Sequence, residues 1–303
     1  MEGWGACTMQ LAEKASNTVR FNKHKFIPYL FISPSMILFI TFMIIPIIFT
    51  FYISLTKWSL ISTPQFTGLD NYIKLFADRE FGIVLLNTIY YTVATVPLGM
   101  GLGLIGALML NRKIFLRNAL RGIFYIPAVV SLVAAGLVWQ WILSTDYGIL
   151  NYLLGLVGIG PQMWLTSNAL SMPSVILATI WVRAGYCMVI YLAGMQSIPN
   201  EYYEAADIDG AGDFRKFRYI TWPLLRSTTV FLLVISIIYG FMAFDLFVIM
   251  TGGGPGLSST VMVHYIYKQA FSVGEMGYAS AVGVVMFLIV FVMTILQLRG
   301  EEQ

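Results

Sequence analysis

Long apolar blocks alternate with short polar segments along this chain. A helix needs about 20 mostly apolar residues to cross a bilayer core. Six blocks reach that length: residues 28–55, 83–110, 122–143, 172–195, 224–250 and 277–298. The pattern predicts an all-α integral membrane protein with six transmembrane helices. The first two blocks exceed the bilayer requirement, so they tilt, kink or extend into water. The apolar stretch 147–157 is too short to span and reads as an interfacial or partly re-entrant helix. Pro46, Pro97, Pro127 and Pro173 fall within or at the edge of blocks. A bundle tolerates them because neighbouring helices satisfy the backbone groups that proline frees.

Composition supports the same class. The chain is 58% hydrophobic and 11% charged, against roughly 25% charged residues in soluble domains, and its mean hydropathy is +0.77. The net charge of +3 does not point to nucleic acid, because the cations cluster at block edges. One side of the membrane receives Lys14, Arg20, Lys23, Lys25, Arg112, Lys113, Arg117 and Arg121, then Arg215, Lys216, Arg218, Arg226 and Arg299. The other side receives only Lys57, Lys74, Arg79 and Lys268. The positive-inside rule then puts both termini and the loop around Glu204 in the cytoplasm. The first block is too long for the apolar region of a cleavable leader, and no small-residue cleavage site follows it.

Cys7 and Cys187 are too few and too far apart for a disulfide framework or a thiolate metal site. His24 and His264 are the only histidines and fall on opposite sides of the membrane, so no metal site and no Ser-His-Asp arrangement is expected. Gly101, Gly103 and Gly106 spell GxGxxG, but inside an apolar block with no preceding strand. That context fails the dinucleotide-binding test. Gly99, Gly103 and Ala107 form a small-residue stripe at helical spacing and suit close helix packing. No Gly-Lys pair exists, so no Walker-type ATP site is expected in this chain.

The polar loop between the fourth and fifth blocks is ordered in pattern. Asn200 is a candidate N-cap, Glu201 suits the first turn of a helix, and 202–208 gives two turns. Gly210 or Gly212 can end that helix in a left-handed conformation. Asp213 can cap a second short helix carrying Phe214 and Phe217, and Pro223 suits a first helical turn. Ala205 and Ala206 leave one face smooth enough to enter a cleft, where Glu204 and Asp207 would accept hydrogen bonds. A helix that merely closes the loop on the membrane surface remains the alternative.

Glu204, Ala205, Ala206, Asp209, Gly210 and Ala211, with Ile220 and Pro223, resemble the EAA loop of ABC importer permeases. Trp222 stands where that pattern usually has Leu. The likeness extends to Thr251-Gly252-Gly253-Gly254-Pro255, to Gly68-Leu69-Asp70-Asn71-Tyr72 and to Tyr278-Ala279-Ser280-Ala281. Pro34-Ser35 through Pro46 and Ser54-Leu55-Thr56 are similar to the first span of the MalF- and UgpA-like, carbohydrate-uptake branch. It implies the type I ABC importer permease fold. Residues 1–25 would be a cytoplasmic tail, 26–82 the first span and an outer loop, 83–298 the permease core with its coupling loop at 197–223, and 299–303 a second cytoplasmic tail. It implies a sugar-importer subunit of a bacterial or archaeal cytoplasmic membrane that works by alternating access. Its partners would be a second, MalG-like permease, two ATP-binding subunits and an extracytoplasmic solute-binding protein. No cofactor is expected on this chain; ATP and Mg would sit on the ATPase. A sugar-phosphate importer such as one for glycerol 3-phosphate is an alternative, and a passive channel a remoter one.

Two ionisable residues lie at membrane depth, where such groups face protein or a water-filled path. Arg183 is about 11 residues and Asp245 about 5 residues from the outer end of its block, so their levels differ by about 9 Å. A structural role through a mutual pair or backbone carbonyls competes with a role in the translocation path. Tyr186, Tyr191, Tyr239, Asn87 and Gln140 are the polar neighbours expected to join them. Of these, Arg183, Tyr186, Asp245, Asn87 and Tyr239 form the candidate substrate path. Aromatic rings and hydrogen-bonding groups suit a sugar, with its apolar ring faces and many hydroxyls.

Overall fold

The computed structural model describes residues 23–112 and 115–299. Of the expected tails, 1–25 and 299–303, only residues 23–25 and 299 are among them; Lys14, Arg20, Cys7 and Lys113 lie outside. The chain divides into two compact units, residues 1–52 and 53–303.

The described residues of the first unit form a single apolar helical rod. Helix α1, Lys23–Phe39, passes through a π turn at Ile40–Ile44 into α2, Ile45–Ser54. Within the π turn the Ile45 N–H reaches back five residues to the Ile40 carbonyl. Pro46 follows directly. Proline has no N–H and its ring crowds the carbonyl four residues earlier, so widening the turn just before it relieves the clash. The same device recurs at Phe217–Thr221, where the Trp222 N–H reaches the Phe217 carbonyl immediately before Pro223.

The second unit opens with a small hairpin, β1 (Thr56–Lys57) antiparallel to β2 (Gln65–Phe66), in the register Thr56↔Phe66 and Lys57↔Gln65. Helix α3 (Asp70–Ala77) leads to α4 (Arg79–Asn111), whose 33 residues extend about 50 Å. The Asp78 carboxylate caps α4 by accepting the Glu80 N–H at 2.8 Å. Next come α5 (Arg117–Val129) and α6 (Leu132–Ile142), bent by 96° at their junction. The short α7 (Ile149–Leu156) occupies the stretch read as interfacial, and α8 (Ser171–Gln196) follows. Helices α9 (Asn200–Ile208) and α10 (Asp213–Lys216) build the polar loop. The chain returns through α11 (Arg226–Phe241), α12 (Asp245–Met250) and α13 (Met262–Tyr267) to α14 (Met276–Arg299).

Among the described residues, four unbroken helices are long and apolar enough to cross a membrane, and two bent pairs supply further crossings. Counting each pair once gives the six expected spans. Two spans nevertheless differ from the straight helices that hydropathy predicts. The third is broken at Val130 and Ser131, three residues beyond Pro127, where Val130 is extended. The fifth is shorter than 224–250. It bends by 63° where the segment ending at Leu224 meets α11, and its outer part breaks again over 242–244 before α12.

Packing centres on α4 against α8. A Cβ added to Gly103 would lie 2.5 Å from Cys187 Cβ and 2.9 Å from the Met188 nitrogen. The backbones therefore touch at this level, and the small-residue stripe is what admits the contact. Three buried clusters result. One joins Tyr91, Val175 and Phe247; one joins Ala107, Met188 and Leu225; one joins Leu75, Tyr265 and Tyr278.

Candidate functional site

The breaks in the third and fifth spans meet around one cavity of about 210 Å³. Leu132, the first residue of α6, lines it, as do Met242, Ala243 and Phe244 at the second break. Irregular backbone at membrane depth is tolerated where it borders protein or a water-filled cavity, and discontinuous helices are a recurrent way of building transport sites. Arg183 of α8, Tyr239 of α11 and Asp245 of α12 complete the polar lining.

Arg183 and Asp245 share the cavity without forming an ion pair. The guanidinium instead lies over the Tyr239 ring, with Cζ 4.0 Å from its centroid. Such a contact is worth about 2 kcal/mol when desolvated. Asp245 occupies the first turn of α12, where a carboxylate suits the positive end of the helix. Tyr91 and Thr179, which also line the cavity, share a hydrogen bond of 3.0 Å, and Tyr91 meets Phe247 edge to face at 4.9 Å. A smaller cavity of about 20 Å³ shares Tyr91, Thr179, Arg183 and Tyr239 and adds Ser236 and Thr95. Tyr91, Thr179 and Phe244 were not legible as site residues, since each sits in an ordinary apolar run.

The other expected members lie elsewhere. The Asn87 amide donates to the Leu257 carbonyl at 2.7 Å and the Thr260 carbonyl at 3.1 Å, and so anchors the 251–260 loop. Within that loop Thr260 Oγ1 donates to the Gly253 carbonyl and Ser259 Oγ to the Gly254 carbonyl, at 2.8 and 2.7 Å. Tyr186 packs beside the cluster of Met188 and Leu225 and is not part of the cavity lining.

The polar loop folds largely as its pattern predicts, with one shift at each helix start. Pro199, not Asn200, occupies the N-cap of α9, and Gly212, not Asp213, that of α10. The C-terminus of α9 is a Schellman motif. The Ala211 N–H donates to the Ala206 carbonyl at 2.8 Å and the Gly210 N–H to the Asp207 carbonyl at 3.1 Å. Gly210 takes φ +72°, a conformation a β-branched side chain resists. Asp207 is engaged internally by an ion pair with Lys216. Tyr203 and Thr221 share a hydrogen bond of 2.9 Å, and Asp213 pairs with Arg112 at the end of α4.

Glu204, Ala205, Asp209 and Gly210 remain exposed, with Ala206 and Ala211 half-buried beneath them. Neither Glu204 nor Asp209 has an ion-pair or side-chain hydrogen-bond partner among the described residues. Ile208 and Phe214 stand 87% and 78% exposed on the same loop. Exposed apolar side chains grouped on one polar loop mark a candidate interaction surface.

At the far end of α4, Asp78 also accepts hydrogen bonds from the Tyr265 hydroxyl at 2.8 Å and from the Tyr278 hydroxyl. Burial by itself raises the Asp78 carboxyl. The Tyr278 and Tyr265 hydrogen bonds, with the Glu80 and Phe81 N–H groups, outweigh it and hold the carboxyl below its ordinary value.

Comparison with known proteins agrees with this architecture. Residues 99–299 match the family of binding-protein-dependent transport system inner membrane components. The chain is 36% identical over 291 residues to a probable ABC transporter permease protein, YurN, of Bacillus subtilis, covering 93% of this chain and 99% of the relative. It is 33% identical over 272 residues to the trehalose/maltose transport system permease protein MalF of Thermococcus litoralis, covering 89% and 92%. Among solved structures, a bacterial alginate ABC transporter in complex with an alginate pentasaccharide-bound periplasmic protein has a chain of 26% identity and TM-score 0.81, covering 91% and 93%. This chain belongs to the family of binding-protein-dependent transport system inner membrane components. It is an ABC transporter permease, a multi-pass protein of the inner membrane.

Proposed function

We propose that this chain is one of two transmembrane subunits of an ATP-driven sugar importer and moves mono- or oligosaccharide by alternating access. The observation that carries the proposal is the cavity where two helix breaks bring Arg183, Tyr239 and Asp245 together. Its aromatic faces suit sugar rings and its polar groups suit hydroxyls. The trehalose/maltose and alginate transporters among the similar proteins support the substrate class. Both termini and the 197–223 loop lie in the cytoplasm in this reading, which the distribution of cations supports. There Glu204, Ala205, Ala206, Asp209, Gly210 and Ala211 dock on an ATP-binding subunit. Two such subunits carry the ATP and Mg, a MalG-like permease completes a pseudo-twofold pair, and an external solute-binding protein delivers substrate.

A second substrate class follows from Arg183. Its guanidinium has no carboxylate partner in the cavity, which favours an acidic or phosphorylated sugar.

The test is purification of the tagged full-length chain from its host in mild detergent, followed by an uptake panel. Co-purification of a second permease and an ATP-binding subunit, with ATP-dependent uptake of a neutral sugar, is the expected result. Preference for a phosphorylated sugar would move the assignment to the second class. Uptake independent of ATP, with no nucleotide-binding subunit even after crosslinking, would leave a passive channel.

A further inference from the structure

A separate cavity of about 440 Å³ opens at the hairpin end of the second unit, a volume in the range of ligand pockets. The hairpin contributes Lys57, Trp58 and Thr67, helix α3 contributes Asp70 and Lys74, and the start of α14 contributes Tyr278. Its walls are held in place. The Asn71 amide donates to the Ser54 and Thr56 carbonyls at 2.9 and 2.8 Å, and the Gly277 N–H donates to the Trp58 carbonyl at 3.3 Å.

Two charged groups in this lining are unpaired among the described residues. Lys74 is neutralised by an ion pair with Glu275. Lys57 and Asp70 have neither an ion-pair partner nor a side-chain hydrogen bond. Thr67 Oγ1 is buried and also without a partner. Among the described residues the cavity thus offers one free cation and one free carboxylate.

The rim is apolar. Leu69, Ile73 and Phe76 repeat at helical spacing along α3, and all three are exposed. Leu60 and Phe66 of the hairpin are also exposed, and Ile61 is 100% exposed. An exposed apolar stripe beside charged groups, at the end of the spans, is the signature of an element lying in the membrane interface.

We propose that this cavity holds the headgroup of a phospholipid with a primary ammonium, such as phosphatidylethanolamine. The phosphate sits on Lys57, the ammonium donates to Asp70, and the acyl chains run over the α3 stripe. One free charge of each sign matches a zwitterion, and an anionic headgroup would face Asp70 uncompensated. A choline headgroup has no N–H to donate to Asp70 and so forgoes that hydrogen bond.

Native mass spectrometry of the full-length chain in mild detergent tests this directly. It would be titrated with phosphatidylethanolamine, phosphatidylglycerol and phosphatidylcholine of identical acyl chains. One phosphatidylethanolamine should be retained more strongly than the other two by about tenfold or more, the lower end of what one charge-assisted hydrogen bond contributes. Lys57→Ala and Asp70→Asn should each erase the preference; both side chains are exposed and unpaired, so folding is spared. Soluble glycerophosphoethanolamine should compete weakly, because it lacks the chains. Equal retention of the three lipids, a preference untouched by both substitutions, or competition by the soluble headgroup as effective as the lipid itself would each overturn the assignment.

Discussion

Arg183 shows how far a single residue can be read from its place in the chain. A guanidinium in an apolar block marks a site by its cost, and the structure puts it on a cavity wall against Tyr239. Its partner ring, Tyr239, is 56 positions away in sequence number and is one of three tyrosines expected beside it; spacing alone does not say which of the three meets the guanidinium. If this contact orients the cation toward substrate, Arg183→Ala and Tyr239→Ala should each lower uptake about tenfold or more, with the complex still assembled. Uptake rates beside a pull-down of the partner subunits would check it. Asp78 is a different case, a capping residue whose role is structural. Its carboxyl titrates lower in the folded chain than in the unfolded one. Its stabilisation is therefore complete above the unfolded value of about 4 and is lost as pH falls through the depressed folded value. Thermal unfolding in detergent should show Asp78→Asn less stable than the parent at pH 7, with the two curves converging in acid.

At the scale of elements, apolar length located every span but not the shape of two of them. Hydropathy averages over a window, and a break of two or three residues leaves the average unchanged. The fracture at Val130 and Ser131 has a visible cause in Pro127; that over 242–244 contains no proline and no glycine. The α4–α8 crossing is easier to foresee, because only small residues admit touching backbones. Gly103→Leu should force the helices apart at Cys187 and cost about 1–3 kcal/mol, read as a lower unfolding temperature and weaker expression. Gly106→Ala should be milder, since its nearest neighbour is the flexible Met188 side chain at 3.3 Å. In the loop, Gly210→Val forces a β-branched residue to φ +72°, at about 1–3 kcal/mol of local strain. It should disrupt ATPase coupling while the spans stay intact, and Gly210→Asn, which tolerates this conformation, should retain most activity.

For the whole molecule, the cavity and the exposed polar loop are joined by continuous elements. Helix α8 carries Arg183 near its middle and runs directly into α9 and the exposed Glu204. Asp213 ties the loop to the end of α4, which packs along α8. On the proposed function, movement imposed on the loop would be delivered to helices that wall the cavity. Reversal of the free carboxylate in Glu204→Lys should leave the chain folded and membrane-inserted but separate ATP hydrolysis from uptake. Measuring both rates in the reconstituted complex decides it; normal coupling in that variant would remove Glu204 from the docking surface.

Local chemistry determined what the sequence made plain: six apolar stretches, the side on which cations gather, and a glycine-terminated loop helix with free carboxylates. Each depends on residues within about one helix of one another, where periodicity and capping act. Tertiary structure alone decided which wall each side chain joins. Asn87, predicted for the substrate path, instead holds the carbonyls of a loop 170 residues away. Asp207, expected to face a partner, is held by Lys216. Tyr91 and Thr179 enter the cavity through a hydrogen bond between separate helices. A cavity is the space that distant segments leave when they pack, and its lining follows from their crossing rather than from any one segment's pattern.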